Sequence, residues 1–299
     1  MLYGDKKPLV SILINCYNSE NYISKAIKSV LNQSYKNWEL IIWDDGSNDN
    51  TKSIISKFSD KRIKFFPQIS NNGLGKSRIK ASEKLSGSLI SILDSDDYFH
   101  RDKILKQVEI FEKFPNVSLC STWSKFYSQK GKLIGLFDND EEIHKLQKKL
   151  KFINLLPHSS LMYKKQTAQK KGWYSPDLEY SQDYDLTLKL IKNESLYLIK
   201  EHLTFIVDHP NNMTNSKSLK ILKLKENLLI LENNLKKKNT DEEKKIINLI
   251  KDIYNLKLSV IEMNKNFIKN LKKLISIIIK NPFIFLKLNI FNKIKKNKI

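Results

Sequence analysis

Four short apolar runs alternate with amphipathic segments along the first 93 residues, and this alternation constrains the fold more than any other feature. The runs have the length of strands and are rich in β-branched residues, whereas the segments between them repeat apolar residues at helical spacing. A strand–helix repeat of this kind builds a doubly wound, mostly parallel sheet flanked by helices. We therefore predict an α/β fold. The runs occupy residues 8–15, 38–43, 63–66 and 88–93.

Three carboxylates, Asp94, Asp96 and Asp97, directly follow the fourth run. They would repel one another strongly unless a cation lay among them. In open α/β sheets, ligands bind just beyond the carboxyl ends of the strands. A hard divalent ion, Mn²⁺ or Mg²⁺, fits such a site, with diphosphate oxygens completing its coordination shell. The alternative is an acidic loop that caps the helix starting near Arg101.

Two glycine-rich phosphate-binding motifs are incomplete in this chain. The segment Gly75-Lys76-Ser77 looks like the end of a P-loop, but Ser70 stands where that motif begins with glycine. The dinucleotide-binding pattern G-x-G-x-x-G also fails, because Arg78 occupies the place of its last glycine. A nucleotide bound here would therefore need a metal ion and side chains to hold its diphosphate.

Positive charge is concentrated near the end of the chain. The formal net charge is +21, and residues 215–299 carry 21 lysines against 7 acidic residues. Arginine, in contrast, occurs only at positions 62, 78 and 101. Since arginine supplies most bidentate contacts to bases and phosphates, we predict no nucleic-acid partner.

The tail from residue 217 onward has a helical pattern, with a second helix predicted from about residue 241 to 279. Lysines and Pro282 interrupt the apolar stretch 274–291, so a membrane-spanning helix is not expected. We predict a basic amphipathic segment that lies on an anionic membrane surface; packing on the catalytic domain or on another subunit, in a homo-oligomer, is the alternative. Its apolar face consists of Leu271, Leu274, Ile275 and Ile278.

The two cysteines, Cys16 and Cys120, lie in apolar, strand-like runs and predict buried thiols of a cytosolic protein. The apolar run 9–14 is too short for a signal peptide. We therefore expect a cytoplasmic protein that is peripheral on the inner face of the plasma membrane.

Four segments of the chain, in their sequence and in their order, resemble segments of the inverting family-2 glycosyltransferases with the GT-A fold. Further similarity follows in residues 182–188, Gln-Asp-Tyr-Asp-Leu-Thr-Leu, and in residues 209–214, and it stops beyond residue 214. The resemblance implies a Rossmann-like sheet flanked by helices and followed by a helical extension. The four segments are residues 10–18, 39–47, 73–78 and 93–97.

The resemblance also implies a donor site and a metal site. Asp96 and Asp97, with the late His209, would hold the metal. Asp45 would accept a hydrogen bond from the base, which is usually uracil, and Arg78 would hold the base or the diphosphate. The full set of residues expected to bind the nucleotide sugar is Asn15, Tyr17, Asn18, Asp45, Gly73, Arg78, Asp94 and Ser95.

Asp183 is the expected catalytic base, because an inverting transfer needs a group that takes the proton of the acceptor hydroxyl. A role as a mere helix N-cap is the alternative for Asp183, and Asp185 is the alternative base. His158, Trp173 and Gln182 are expected on the acceptor side. No arginine precedes any tryptophan, so the Arg-Trp signature of processive enzymes is absent and transfer of a single sugar is expected.

The resemblance thus implies a metal-dependent enzyme that moves one sugar from a nucleotide sugar, usually UDP-linked, to a glycan or lipid-linked acceptor such as a lipopolysaccharide or capsule precursor. We expect a nucleotide-binding half over residues 1–100, an acceptor half over 101–214 and a basic extension over 215–299. A magnesium-dependent phosphohydrolase or nucleotidyltransferase, and a non-catalytic basic membrane adaptor, are the alternatives.

Overall fold

The four predicted apolar runs are all strands in the computed structural model, which describes residues 7–191, 196–210, 212, 216–235 and 240–262. The predicted alternation of strands and helices is therefore confirmed. The strands are β1 (Val10–Cys16), β2 (Trp38–Asp44), β3 (Ile63–Pro67) and β4 (Leu89–Ile92), and the helices between them are α1 (Ile23–Leu31), α2 (Thr51–Ile55) and α3 (Leu74–Ser82).

Further strands and helices follow β4 in the described chain. They are β5 (Tyr98–Phe99), α4 (Lys103–Lys113), β6 (Leu119–Ser128), β7 (Leu133–Phe137), α5 (Ile143–Leu150), a 3₁₀ turn (His158–Ser160), β8 (Met162–Lys164), α6 (Lys165–Lys170), α7 (Gln182–Leu190), β9 (Leu196–Asp208), α8 (Lys217–Leu235) and α9 (Asp241–Glu262).

The strands form one mixed sheet in the order β3-β2-β1-β4-β8-β6-β9-β5, and β7 pairs with β6. β1 is parallel to both β2 and β4, whereas β8 is antiparallel to its two neighbours β4 and β6. β6 therefore runs in the same direction as β4, and β9 is parallel to β6. As a result β1, β2, β4, β6 and β9 all end at one edge of the sheet, which we call the carboxyl edge.

Both faces of the sheet are covered by helices, as the apolar runs predict. Successive residues of β1 point to opposite faces, so Ile12 and Leu13 belong to two different hydrophobic clusters. On one face α1 and α4 contribute residues such as Ile27 and Phe111. On the other face α3, α5, α6 and α7 pack, for example through Leu186. This double layer holds the strand ends rigidly at the carboxyl edge.

Several element boundaries differ from the sequence-based expectation. β9 covers thirteen residues, whereas the apolar pattern predicts a strand only over 204–207. Its length follows from its pairing with β6 and β5, which a local pattern does not report. α7 begins at Gln182, one residue before Asp183, and Ser181 occupies the N-cap position.

The described residues form two compact units. The sheet and its helices make up the first, which extends to Leu150 and continues over Asn154–His209. In the second unit α8 and α9 contact each other, for example through the ion pair between Lys251 and Glu232 at 3.0 Å. No helix in the described ranges is long and apolar enough to cross a bilayer. The predicted apolar face at residues 271–278 lies outside the described residues.

Candidate active site

The loops after β1 and β2 are tied together at the carboxyl edge by Asn18. This residue has a positive φ of 49°, a backbone conformation that asparagine tolerates better than most residues. Its backbone N–H donates to Ser47 Oγ at 2.9 Å, and its Oδ1 accepts from the N–H of Asn48 at 2.9 Å. The neighbouring Tyr17 is 44% exposed, so its ring is open to a ligand.

Asn15 and Ser95 flank the same loop. Asn15 lies near the end of β1, and its buried Nδ2 donates to no group in the described residues. Ser95 Oγ lies 2.8 Å from Ser19 Oγ, which joins the loop after β4 to the loop after β1. Polar side chains from two strand ends therefore meet where a nucleotide is expected.

Asp45 organises the loop that leads into α3. Its carboxylate is buried and accepts hydrogen bonds from the backbone N–H groups of Asn72, at 3.1 Å, and Gly73, at 2.9 Å. Gly73 has a φ of 89°, and a Cβ there would overlap the side chain of Glu179. Glu179 also accepts from the N–H of Gly75 at 3.2 Å. The backbone conformation therefore favours glycine, and a Cβ at this position would also require the carboxylate of Glu179 to move.

Arg78, His158 and Asp94 form a polar cluster in which Arg78 is buried and the side chain of Asp94 is 42% exposed. His158 Nδ1 lies 2.9 Å from Asp94 Oδ1 and 3.3 Å from Arg78 Nη2. Burial opposes ionisation of Asp94, but His158, Arg78 and a hydrogen bond from Ser159 outweigh it and lower the pKa of this carboxyl to about 2. Asp94 is therefore ionised at neutral pH. His158, expected on the acceptor side, contacts two residues of the predicted donor site.

Arg78 retains capacity to bind an anion. Its side chain is buried, and its Nη1 donates to no acceptor among the described residues. No described carboxylate lies within ion-pair distance of the guanidinium. A buried guanidinium with a free N–H and no carboxylate in direct contact would bind an anionic group of a ligand favourably.

Asp96 and His209 form the part of the site that fits a metal ion. Asp96 Oδ2 lies 3.0 Å from His209 Nε2, and the ring of Tyr22 stacks on His209 with the ring centroids 4.3 Å apart. Two adjacent ligands of an octahedral ion, each about 2.1 Å from it, are separated by about 3.0 Å. The oxygen and the nitrogen are hydrogen-bonded to each other in this structure, and the same separation suits two ligands of one cation. In the described ranges no group of three or more His, Cys, Asp or Glu side chains forms a ready-made metal site, so other ligands are needed.

Asp97 has a different environment from Asp96. It is 4% exposed, and its two oxygens accept hydrogen bonds from Ser159 Oγ at 2.5 Å and from the N–H of Val207 at 3.0 Å. Burial, together with the charges of Asp96 and Asp94, raises its pKa well above the usual value. In this arrangement Asp97 connects β9 to the loop after β4, and its role as a metal ligand remains a prediction.

Asp183 lies in the first turn of α7, and its Oδ2 accepts a hydrogen bond from Asn154 Nδ2 at 2.8 Å. Asp185, the alternative base, is engaged by Ser175 Oγ at 2.5 Å and by the ammonium of Lys189 at 2.7 Å. Because the carboxylate of Asp185 is already held by two side chains, one of them a cation, the contacts favour Asp183 as the base.

Gln182 and Trp173 lie beside this helix. Gln182 is fully buried, and its Nε2 donates to the carbonyls of Ser175, at 3.0 Å, and Gly75, at 3.3 Å. It therefore links α7 to α3. Trp173 has a φ of 50° and, with side chains of α3 and α6, lines a cavity of about 310 Å³. An acceptor role of either residue remains a prediction.

Four residues of the site were not found by sequence reasoning. Tyr22 fits a helical apolar pattern, and Ser159 and Glu179 are ordinary loop residues. Asn154 stands 29 residues before Asp183, and no motif singles it out. Only Ser159 had a usable signal, since it directly follows the candidate His158.

Residues 11–165 match the sequence profile described as Glycosyl transferase family 2. The chain is 32% identical over 188 residues to the putative teichuronic acid biosynthesis glycosyltransferase TuaG of Bacillus subtilis, covering 62% of this chain and 73% of TuaG. It is 43% identical over 105 residues to WfgD of Escherichia coli, a UDP-Glc:α-D-GlcNAc-diphosphoundecaprenol β-1,3-glucosyltransferase, covering 35% of this chain and 42% of WfgD.

Two solved structures share the fold. S. aureus TarS 1–349 in complex with UDP-GlcNAc superposes with a TM-score of 0.63 at 16% identity, covering 90% of this chain and 79% of TarS. The mannosyltransferase PcManGT of Pyrobaculum calidifontis, in complex with GDP-Man and Mn²⁺, has a TM-score of 0.60 at 14% identity and covers 92% and 75% of the two chains. These similarities support the GT-A fold predicted from the sequence.

Proposed function

Since the chain belongs to glycosyl transferase family 2 and is a glycosyltransferase that uses a nucleotide sugar, we propose that it transfers one sugar from a UDP-linked donor with inversion at the anomeric carbon. This family membership rules out the two alternatives, a phosphohydrolase or nucleotidyltransferase and a non-catalytic adaptor. The observation that carries the proposal is the pairing of Asp96 with His209 at 3.0 Å, two residues after Asp94, which belongs to the Arg78 cluster.

Asp96 and His209 would hold a divalent cation, Mn²⁺ or Mg²⁺, whose chemistry is that of a Lewis acid that neutralises charge on a departing diphosphate. Arg78 would donate hydrogen bonds to an anionic oxygen of the donor from its free Nη1. Asp94 is ionised and accepts from His158, so it can also accept from a hydroxyl of the ribose or the sugar. Tyr17 would cover the base.

Asp183 would act as the general base. Its carboxylate accepts the proton of the acceptor hydroxyl while that oxygen forms a bond to the anomeric carbon. On the opposite face the bond from the anomeric carbon to the diphosphate oxygen breaks, and the nucleoside diphosphate leaves with the electron pair. Asn154 holds the carboxylate in place during this step.

We place the acceptor among glycans and lipid-linked saccharides. The printed functions of two relatives support this choice, because TuaG is assigned to teichuronic acid synthesis and WfgD acts on a diphosphoundecaprenol acceptor. UDP as the donor nucleotide is supported by WfgD and by the TarS complexes, and a metal by the Mn²⁺ of PcManGT. An acceptor of this kind implies work at the inner surface of the plasma membrane.

Thermal unfolding with UDP, GDP, CMP or dTDP, each with Mn²⁺ or with EDTA, tests the donor site without an acceptor. A ligand that binds only the folded state stabilises it by about 2.7 kcal/mol at 100 times its Kd. We expect UDP with Mn²⁺ to raise Tm, and we expect EDTA or Asp96→Ala to abolish the effect. Asp140→Ala, at an exposed aspartate outside the site, should respond like the wild type. If no nucleotide raises Tm at millimolar concentration, the proposed site is wrong.

A further inference from the structure

Large apolar side chains are exposed mainly at the carboxyl edge of the first unit. Tyr17 and Ile69 follow β1 and β3 there, whereas Phe114 lies toward the opposite edge, before β6. Leu133 and Ile134 are 47% and 43% exposed, and they are the one sequence-adjacent pair among the exposed large apolar residues of the described chain. Isolated exposed apolar residues are ordinary, whereas an adjacent exposed pair beside a hairpin turn favours a contact surface.

The pair lies at the tip of the hairpin that connects β6 to β7. We call residues 129–134 the hairpin tip. Its turn is closed by hydrogen bonds from Gly131 N–H to the carbonyl of Ser128 and from Ser128 N–H to the carbonyl of Lys132, both at 2.8 Å. Adjacent residues of a strand point to opposite faces, so Leu133 and Ile134 together cover both sides of the tip.

The hairpin tip is also positively charged. Lys130 and Lys132 are exposed, and residues 129–134 contain no acidic residue. Within the described part of the chain, no carboxylate lies within ion-pair distance of either ammonium. Apolar side chains flanked by unpaired lysines suit the boundary between the headgroups and the acyl chains of an anionic bilayer, where the lysine stems extend to the phosphates.

The position of the tip relates this surface to the active site. Ser128 pairs with Asp208 in the register of β6 and β9, and Gln129 N–H donates to the carbonyl of Asp208 at 3.0 Å. His209 is the next residue. The tip therefore projects from the same edge of the sheet that carries Asp96 and His209.

We propose that the hairpin tip inserts into the interface of an anionic lipid bilayer and turns the carboxyl edge toward the membrane. A bilayer rather than a protein partner is favoured, because the tip carries apolar side chains on both sides together with two exposed lysines. The binding itself does not depend on the glycosyltransferase mechanism. Only its consequence, delivery of a lipid-linked acceptor to Asp183, rests on the proposed function.

A site-specific probe tests insertion in the full-length protein. Both native cysteines are buried, so a cysteine introduced on the surface can be labelled selectively with an environment-sensitive fluorophore. Leu133→Cys places the label on the tip, and Asn116→Cys places it at an exposed turn before the opposite end of β6. We expect phosphatidylglycerol vesicles to shift the emission of the label at position 133 to the blue and to leave that at position 116 unchanged.

Vesicle sedimentation measures how strongly the side chains of the hairpin tip contribute to membrane binding. Lys130→Gln with Lys132→Gln should weaken partitioning to anionic vesicles by about 25-fold, from about fivefold per lysine. Leu133→Ser with Ile134→Ser should weaken it by about tenfold. Lys57→Gln with Lys113→Gln is the matched control, since both lysines are exposed elsewhere.

Three results would overturn the proposal. They are no binding to anionic vesicles, binding without a spectral shift at position 133, and a loss of partitioning in the control variant Lys57→Gln with Lys113→Gln that equals the loss in the variants of the tip. Stabilisation by UDP, measured without vesicles, reports separately on the donor site. A protein that binds UDP but shows no shift contradicts the membrane contact alone, whereas a shift without UDP binding contradicts the proposed function alone.

Discussion

Asn154 donates a hydrogen bond to Asp183 across 29 residues of sequence, with 2.8 Å between Nδ2 and Oδ2. Because a carboxylate only accepts, this contact fixes which end of the amide faces Asp183. The other end, Oδ1, is buried and accepts from no group in the described residues. Such an arrangement costs about 1–3 kcal/mol. We therefore expect the main role of Asn154 to be the orientation of Asp183.

Replacing Asn154 therefore tests whether it positions the base. Asn154→Ala should lower kcat about tenfold and leave KM for the nucleotide sugar unchanged, since the donor residues are untouched. Steady-state kinetics with varied donor measures both. Asn116→Ala, at an exposed turn, should match the wild type. A raised donor KM with unchanged kcat would contradict the positioning role.

Asp183 and Asp185 are two carboxylates on one helix with different surroundings. Replacing each by asparagine should show which of them is the catalytic base and which has a structural role. Asp183→Asn should lower kcat by about 10²–10⁴-fold with little change in Tm, because the proton acceptor is lost. Asp185→Asn breaks the contact with Lys189, so it should lower Tm and retain most activity. If Asp185→Asn is the inactive variant, the assignment is reversed.

Gly73 and Gly131 form a matched pair for testing the donor loop. Their φ angles are 89° and 79°, both in the region that favours glycine, so alanine costs about 1–3 kcal/mol of backbone strain at either position. A Cβ at Gly73 would also overlap Glu179, whereas a Cβ at Gly131 meets nothing within 4 Å. Both variants should unfold at lower temperature, but only Gly73→Ala should lose stabilisation by UDP. Equal UDP binding would show that the loop does not shape the donor site.

His209→Ala should change the metal requirement. Removing one of two protein ligands should raise the Mn²⁺ concentration for half-maximal activity by at least about 10- to 100-fold. Titration of activity with Mn²⁺ after treatment with EDTA measures this change. His144→Ala, at an exposed histidine of α5, is the control. An unchanged requirement for Mn²⁺ would exclude His209 as a ligand.

Lys103 predicts a pH dependence of stability. It is fully buried, donates to Gln107 Oε1 at 2.8 Å and to Ser91 Oγ at 3.1 Å, and burial lowers its pKa to about 7. Between pH 7 and about 10 the unfolded chain therefore binds a proton that the folded protein does not bind. Stability from this residue rises with pH by up to about 1.4 kcal/mol per unit.

Lys103→Met removes this dependence, so its stability relative to the wild type should be highest at pH 6–7 and should fall by pH 9. Denaturant unfolding at both pH values measures the difference. Lys57→Met, at an exposed lysine, should show no such trend. Parallel curves for Lys103→Met and the wild type would contradict a buried amine with a pKa of about 7.

The sequence by itself determined the α/β class and the family. Strand-length apolar runs such as 8–15, joined by amphipathic helices, are typical of a mostly parallel sheet with both faces covered by helices. The acidic residues after β4 mark the functional edge, because parallel strands present their carboxyl ends together. Each of these signals lies within a short segment of sequence, so it can be recognised without knowledge of the tertiary structure.

Only the tertiary structure decided which distant side chains meet. His209 reaches Asp96, 113 residues earlier, because β9 runs parallel to β6 and ends at the same edge. Ser159 reaches Asp97, and Asn154 reaches Asp183, through a loop without a motif. Such contacts depend on strand order and direction, which the pairing of residues far apart in sequence sets and no local pattern records.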